Sequence, residues 1–414
     1  MSPARVAAAQ ALVKVDQGAH VEDELARLAP EDPRDRAHAW FLALGVLRHR
    51  ASVDAALRPL LTRPLGGLDP EVRAALRMGA FEKLHGRAAD HAVVHEAVEA
   101  VKAIGGARAS GLVNAVLRKV KPVPLSDQEA LEHPAWLIAR WTERYGSEAA
   151  ATWARSNNEP APTSVVVHGD VDALAAQLDE AGVQTEAVSV DGRVLDGVLR
   201  LVGPEGPIPN LPGFEAGRFW VQDPAAVAVA DLVLDGVGGK GTRVLDACAA
   251  PGGKTFRLLS RGAEVTAVDS VGARLQRIRE GLQRLGLEAT LRHHDWTEGP
   301  LPDAGGPFDA VLVDAPCTGL GTVRRHPEIR WRRQLVDVLG MPETQRAILE
   351  HAASHVAPGG RLVYAVCSPE PEEGSDVVAA FLEDHPEFSP ERTLSTAPPE
   401  GDEDAHYAAV LRRS

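Results

Sequence analysis

The stretch Asp-Ala-Cys-Ala-Ala-Pro-Gly-Gly-Lys-Thr at residues 246–255 decides how this chain is read. An apolar strand pattern at Arg243–Asp246 precedes it and a helical pattern follows, so 243–258 reads as strand, small-residue turn and helix start. A helix N-terminus after a glycine turn attracts anionic or carboxylate groups, and the glycines let a ligand come close to the backbone. A phosphate loop needs Gly-x-x-x-x-Gly-Lys-Thr. Gly253-Lys254-Thr255 supplies its end, but Cys248 occupies the position of the first glycine. A dinucleotide fingerprint, Gly-x-Gly-x-x-Gly, is absent at this turn.

Outward from the turn, strands are expected at Arg243–Asp246, Glu264–Asp269, Ala289–His293, Ala310–Asp314 and Arg361–Ala365, each separated by a helical segment. This rhythm implies an α/β domain over 219–414 with a mostly parallel, Rossmann-like sheet and helices on both faces. With the two phosphate-loop readings set aside, S-adenosylmethionine is the remaining cofactor. Asp269 ends the second strand, 23 residues beyond Asp246, where a carboxylate suits the two hydroxyls of a ribose. Asp295 follows the third strand and is placed to accept a hydrogen bond from an adenine amino group.

Only three cysteines occur in the 414 residues, and each lies in such a segment: Cys248 in the turn, Cys317 in Asp-Ala-Pro-Cys-Thr-Gly-Leu-Gly (314–321), and Cys367 in Tyr-Ala-Val-Cys-Ser-Pro (364–369). Free cysteines are commonly small buried hydrophobes. That explains poorly why two of them follow strands whose carboxyl ends should meet beside the cofactor. Two thiols facing a methyl donor have a specific use. Carbon-5 of a pyrimidine is a weak nucleophile until a thiolate adds to carbon-6, after which it can take a methyl group; loss of the carbon-5 proton and of the thiol releases product. Asp314 could hydrogen-bond the base edge, and Lys254 could orient the base or offset negative charge.

The front of the chain reads as helices over 4–120, clearest at Asp69–Gly86, where Asp69 is the expected N-cap, Pro70 opens the helix and Gly86 takes the C′ position. Further helices are expected at Asp90–Ile104, Ala109–Val120, and twice within 33–61, divided near His49–Ser52. Residues 126–160 are helical with Trp136, Trp141 and Trp153; a small α+β stretch follows, with a strand at Thr163–His168 and a helix at Val171–Gly182. The Gly/Pro-rich run 203–217 reads as a connection. The expected organisation is therefore an all-α domain over 1–125, a helical linker with a small α+β subdomain over 126–218, and the Rossmann-like domain.

The net charge of −14 argues at first against a nucleic-acid partner, but its distribution does not. Residues 370–404 hold 12 acids and one base, whereas residues 1–125 hold 18 Lys/Arg against 14 Asp/Glu. The run Arg324–Arg333 holds five arginines and one glutamate, with Trp331 inside it, and is expected to contact RNA phosphates and a base. No apolar run approaches the roughly 20 residues that span a bilayer, and the start carries no signal-peptide core. The cysteines lack the number and spacing of a disulfide framework or zinc site. A soluble, reduced, cytoplasmic monomer without metal or membrane partner is expected.

The chain resembles the Sun/RsmB family of RNA cytosine carbon-5 methyltransferases. The resemblance rests on residues 246–255, on Asp-Ala-Pro-Cys-Thr-Gly at 314–319 with Arg-Arg-His-Pro-Glu-Ile-Arg-Trp at 324–331, and on Cys367-Ser368. It implies that Cys367 is the nucleophile and that Cys317 assists release of methylated RNA. It further implies that Cys248, Ala249, Ala250, Pro251, Gly252, Gly253, Lys254, Asp269, Asp295 and Asp314 line the S-adenosylmethionine site. DNA cytosine methyltransferases would instead attack with the Pro-Cys cysteine, here Cys317. Residues 4–120 resemble the NusB-type RNA-binding domain in Asp-His-Ala-Val-Val-His-Glu-Ala-Val-Glu (90–99) and Gly-Leu-Val-Asn-Ala-Val-Leu-Arg (111–118). That fusion implies a small-subunit (16S) ribosomal RNA substrate. Transfer RNA, or a non-catalytic role in RNA binding and ribosome assembly, are the alternatives. The chain departs from the family at Val366, where threonine is usual, at Glu372-Glu-Gly-Ser375, where asparagine is usual, and in lacking paired aromatics before the last strand.

Overall fold

The computed structural model describes residues 2–203 and 206–414. The chain divides into two compact units: Met1–Pro160 with Val323–Arg333, and Ala161–Thr322 with Gln334–Ser414. Among the described residues no helix is long and apolar enough to cross a membrane. Pro204 and Glu205, within the expected connection 203–217, lie outside the described residues, as does Met1.

The first unit is helical. Its helices run Pro3–Asp16, Val21–Arg27, Pro33–Arg48, Arg50–Leu57, Pro70–His85, Asp90–Ala103, Ser110–Leu117, Ala135–Tyr145 and Ser147–Ser156. Asp32 caps the third by accepting from the Arg34 and Asp35 N–H groups. Asp69 opens the fifth helix without a capping bond from its side chain, so Pro70, with its preset φ, marks that start alone. Gly86 ends it in an extended conformation, not a left-handed one. Glycine is needed there for space, since a Cβ would lie 2.4 Å from the Glu82 carbonyl oxygen. Leu42, Leu76, Met78 and Leu117 form a dry core with the alanine face of the first helix. Trp141 stacks on Trp153 at 3.9 Å between ring centroids.

The basic run is built into the first unit at several of its residues. Residues 323–333 pack with the first unit, and Arg330 is fully buried. Its Nη1 donates to the Glu132 carbonyl (3.2 Å) and Asn158 Oδ1 (2.6 Å), and its Nη2 to the Asn157 and Val323 carbonyls (2.8 and 3.0 Å). Arg332 donates to the Ala19 carbonyl, Arg324 to the Pro160 carbonyl, and Trp331 Nε1 to the Leu47 carbonyl at 2.6 Å. Around Arg330 these bonds satisfy backbone oxygens that burial would otherwise strand, while Arg324, Arg325 and Arg333 remain partly exposed.

The second unit holds two sheets. The smaller contains β1 (Ser164–Val167), β2 (Gln184–Val190), β3 (Arg193–Val202) and β4 (Phe219–Val221), antiparallel in the order β2-β3-β1-β4, with helix Val171–Glu180 packed against it. The larger contains β5 (Arg243–Asp246), β6 (Glu264–Asp269), β7 (Thr290–His293), β8 (Phe308–Asp314), β9 (Val356–Val366), β10 (Phe388–Ser395) and β11 (Tyr407–Arg413). Its order is β10-β11-β9-β8-β5-β6-β7, parallel from β7 to β9 and antiparallel at β9-β11-β10. The chain leaves β5 toward β6 and returns on its other side as β8, so the switch point lies between β5 and β8. Ligands bind outside the carboxyl ends of strands at such a point.

Candidate active site

The turn after β5 is held from both sides. The Ala247 N–H donates to the Leu312 carbonyl of β8 (2.8 Å) and the Ala249 N–H to the Val268 carbonyl of β6 (2.9 Å). Gly252, at φ +114°, would put a Cβ 2.6 Å from the Phe256 ring, so the turn requires glycine. The helix Gly253–Ser260 begins directly after it.

Asp246 is the acid that sequence reasoning left out of the site. It is completely buried; its Oδ2 accepts from Thr255 Oγ1 at 2.6 Å, while its Oδ1 has no donor. Burial pushes its carboxyl up from 3.8 to about 7, the Thr255 hydrogen bond opposes this, and the nearby Asp314 adds to it. An orphaned carboxylate oxygen fits a cofactor that brings its own donors and positive charge. S-adenosylmethionine does so with an ammonium and a sulfonium. The signal was available in the strand-terminal position, but nothing in sequence shows that the oxygen lacks a partner.

Asp269 is buried beside the turn and accepts from the Ala250 N–H (3.3 Å) and the Val271 N–H (2.9 Å). Asp295 uses Oδ1 on its own turn, accepting from the Thr297 N–H (2.9 Å) and Oγ1 (2.7 Å), which hold its carboxyl below the usual range. Cys248 packs partly buried against the core under the sheet ends. Burial and four surrounding carboxylates push its thiol well above the ordinary value, which keeps it unionised.

Lys254 Nζ donates to Asp314 Oδ2 at 2.7 Å. Burial disfavours the ammonium, but the charge and hydrogen bond of Asp314 reverse this and the lysine's pKa is raised. The two later cysteines lie together: Cys317 Sγ and Cys367 Sγ are 3.3 Å apart and hydrogen-bonded. The bond to Cys367 is the largest influence on Cys317, ahead of burial, and both push its thiol well above the ordinary value, with Glu373 adding to them. The turn carrying Cys317 closes onto that carrying Cys367 through the Gly321 N–H, which donates to the Cys367 carbonyl at 3.1 Å.

Beneath both turns lies Glu373, a buried carboxylate absent from the expected site. Its Oε1 accepts from the Thr318 N–H (2.7 Å) and Gln345 Nε2 (3.4 Å), and its Oε2 from Thr318 Oγ1 (2.6 Å) and Ser368 Oγ. Glu373 falls within the stretch read above as part of an acidic excess. Composition cannot separate one interior carboxylate from its solvated neighbours.

A doubly wound sheet, a glycine turn opening a helix at its switch point and acidic residues at successive strand ends define a nucleotide-cofactor methyltransferase fold. Comparison with known proteins makes this specific. The family model described as 16S rRNA methyltransferase RsmB/F matches residues 237–409, the NusB family model matches 2–122, and a ferredoxin-like domain model of RsmF/B-like methyltransferases matches 133–199. Ribosomal RNA small subunit methyltransferase B of Thermus thermophilus is 38% identical over 99% of this chain and 97% of its own. The protein of that name from Sodalis glossinidius is 37% identical over 95% and 92%. A crystal structure of PH0851 superposes with a TM-score of 0.85 at 24% identity, covering 100% of this chain and 99% of that one, a likeness in fold. The chain belongs to the RsmB/F family of 16S rRNA methyltransferases. RNA is its substrate and S-adenosylmethionine its methyl donor.

Proposed function

We propose that the protein methylates carbon-5 of a cytosine in 16S ribosomal RNA through a covalent bond between Cys367 and the base, acting as a monomer in the cytoplasm. The observation that carries this reading is the pair of thiols 3.3 Å apart at the carboxyl ends of β8 and β9, with the Lys254–Asp314 ion pair in the same unit. When bound, S-adenosylmethionine supplies an electrophilic sulfonium methyl. Asp246, Asp269, Asp295 and the turn from Cys248 to Lys254 hold the cofactor. Asp314 accepts a hydrogen bond from the base edge, and Lys254 offsets its charge. The Cys367 thiolate adds to carbon-6, carbon-5 becomes nucleophilic and takes the methyl group, and loss of the carbon-5 proton breaks the sulfur–carbon bond. Cys317 assists that elimination. The target base must leave its stack to reach the thiols.

We assign RNA binding to 1–125, a connecting role to 126–218 and catalysis to 219–414, while the compact units divide at Pro160 and take Val323–Arg333 into the helical one. With Arg330 engaged inside its own unit, the partly exposed arginines of the run share RNA contact with other basic surface. A cleft of about 410 Å³ in the helical unit is lined by Lys83, Asp90, His91, His95, Asn114 and Arg118 over an apolar floor of Val94 and Val98; Lys83 is paired with Asp90 at 3.0 Å, which leaves Arg118 as the cation for a phosphate. Its histidines, asparagine and Arg118 come from the two segments that carry the NusB resemblance.

Replacing Cys367 with alanine is expected to abolish methyl transfer, and replacing Cys317 with alanine to leave a covalent protein–RNA adduct visible on a denaturing gel. An active Cys367 variant together with an adduct-free Cys317 variant overturns the roles. Bisulfite mapping of ribosomal and transfer RNA from a strain lacking the protein identifies the cytosine.

A further inference from the structure

The two cysteines sit on different connections, one after β8 and one after β9. Adjacent parallel strands fix where those connections begin, with the Ala315 N–H donating to the Ala365 carbonyl at 2.8 Å. They do not fix where a side chain lies two or three residues further on. Yet the residues directly following the cysteines, Thr318 and Ser368, both donate to one carboxylate. Thr318, Ser368, Gln345 and Glu373 are all fully buried. The Tyr364 hydroxyl donates to the Glu373 carbonyl at 2.6 Å, which anchors the carboxylate's own backbone to β9.

We propose that Glu373 is a positioning residue, holding the Cys317 and Cys367 turns in register by accepting hydrogen bonds from Thr318 and Ser368. A buried carboxylate costs free energy unless its oxygens are satisfied. Here four donors from three segments satisfy it: the Cys317 turn, the Cys367 turn and helix Leu335–Ala353, which carries Gln345. Charge-assisted hydrogen bonds are the shorter and stronger class, so a carboxylate sets this geometry more firmly than a neutral acceptor would. Burial raises the Glu373 carboxyl above its ordinary value, and the Ser368 and Thr318 bonds oppose the rise. The Gly321–Cys367 backbone bond is a second tie between the same two turns, at the far end of the Cys317 turn. The proposal rests on the reading of the cysteines as the reacting pair.

The test uses the full chain with Glu373→Ala, Glu373→Gln and the double variant Thr318→Val/Ser368→Ala. Two readouts are compared: kcat and KM for methyl transfer to RNA, and the rate at which diamide closes a Cys317–Cys367 disulfide without RNA or cofactor. Glu373→Ala is expected to lower kcat on the order of 100-fold, the cost of misplacing a reacting group by about 1 Å. KM for S-adenosylmethionine should stay within about twofold, and disulfide closure should slow at least about tenfold. The hydroxyl double variant should reproduce both losses, and adding Glu373→Ala to it should cost little more, the non-additivity of groups acting as a unit. Glu373→Gln keeps the shape and an acceptor, and the hydroxyls can rotate to accept from its amide, so it should recover most of both rates. Unchanged kcat and disulfide rate in the hydroxyl double variant overturn the proposal, even where Glu373→Ala fails to fold. An active Cys367→Ala variant would overturn the reading of the cysteines instead, and the disulfide rate would still test the clamp.

Discussion

Asp246 holds a carboxyl group in a place where water cannot reach it, with one oxygen bonded to Thr255 and the other to nothing. Its pKa in the folded chain is raised to about 7 from 3.8, so the folded state binds this proton more tightly than the unfolded chain does. Linkage then gives the sign: the contribution to stability is fully present below about pH 4, declines as pH rises, and is lost above about pH 7. Asp246→Asn removes the charge. It is expected to melt a few degrees above the parent at about pH 8, with the gap closing toward about pH 5, while binding S-adenosylmethionine at least about tenfold more weakly. Calorimetry at the two pH values with a cofactor titration checks this. A gap independent of pH between those values would mean that the folded carboxyl is already ionised throughout, with its pKa not raised by the buried site. Asp269, Asp314, Lys254 and the cysteines were legible as candidates because each terminates or follows a strand. Asp246 was equally well placed, but its importance comes from missing a partner, a fact about the surroundings. Glu373 was noticed only as part of the stretch 372–375, and its role was not legible because it depends on residues 55 and 5 positions away.

Among the elements, the turn from Cys317 to Thr322 shows how a connection becomes a catalytic part. A Cβ on Gly321 would lie 1.9 Å from the Ala405 carbonyl oxygen and 3.0 Å from that of Cys367. Both are backbone atoms, so no side chain can rotate away. Gly321→Ala is therefore expected to destabilise the protein by about 1–3 kcal/mol through overpacking. Activity should fall by more than that stability loss explains, since the turn must swing away from Cys367; thermal melts beside methyl-transfer rates separate the two effects. The strands β5, β6, β8 and β9 were readable because parallel strands buried on both faces are short apolar runs bounded by turns; β7, an edge strand with no buried residue, was placed by the βαβ rhythm. β10 and β11 were not. β10 reads Phe-Ser-Pro-Glu-Arg-Thr-Leu-Ser, an edge strand with a proline and an alternating, half-solvated face. It lies inside a stretch whose composition is dominated by acids. Likewise β2 and β3 mix exposed and buried residues without a regular alternation and show a weaker pattern than the fully buried β1.

At the scale of the whole molecule, the distribution of charge says less about individual side chains than the distribution of apolar residues says about the fold. Five arginines in ten residues suggest a phosphate-binding surface, but Arg330 is a strut inside the helical unit. Burial, with Arg48 nearby, pulls its guanidinium down to about 9, so it remains charged at neutral pH. Arg330→Met strands several buried acceptors at once and is expected to cost on the order of 3–5 kcal/mol in denaturant unfolding of the first unit. Arg118→Ala should behave oppositely, leaving stability unchanged within about 0.5 kcal/mol. If the cleft contacts RNA phosphate, it should also lower the slope of log affinity against log salt by about 1. A salt slope that falls for Arg330→Met in folded protein, and not for Arg118→Ala, would place the RNA contact in the run 324–333 alone.

The sequence by itself determined the helical front, the parallel part of the sheet, the cofactor turn and the pair of thiols, because periodicity, glycine turns and strand-end positions are local properties of the chain. Tertiary structure alone decided which polar groups work and which merely satisfy the interior. Whether an arginine meets solvent or four carbonyl oxygens, and whether a glutamate is solvated or clamps two distant turns, depends on which segments pack around it. Desolvation and hydrogen-bond partnership exist only once those segments have met.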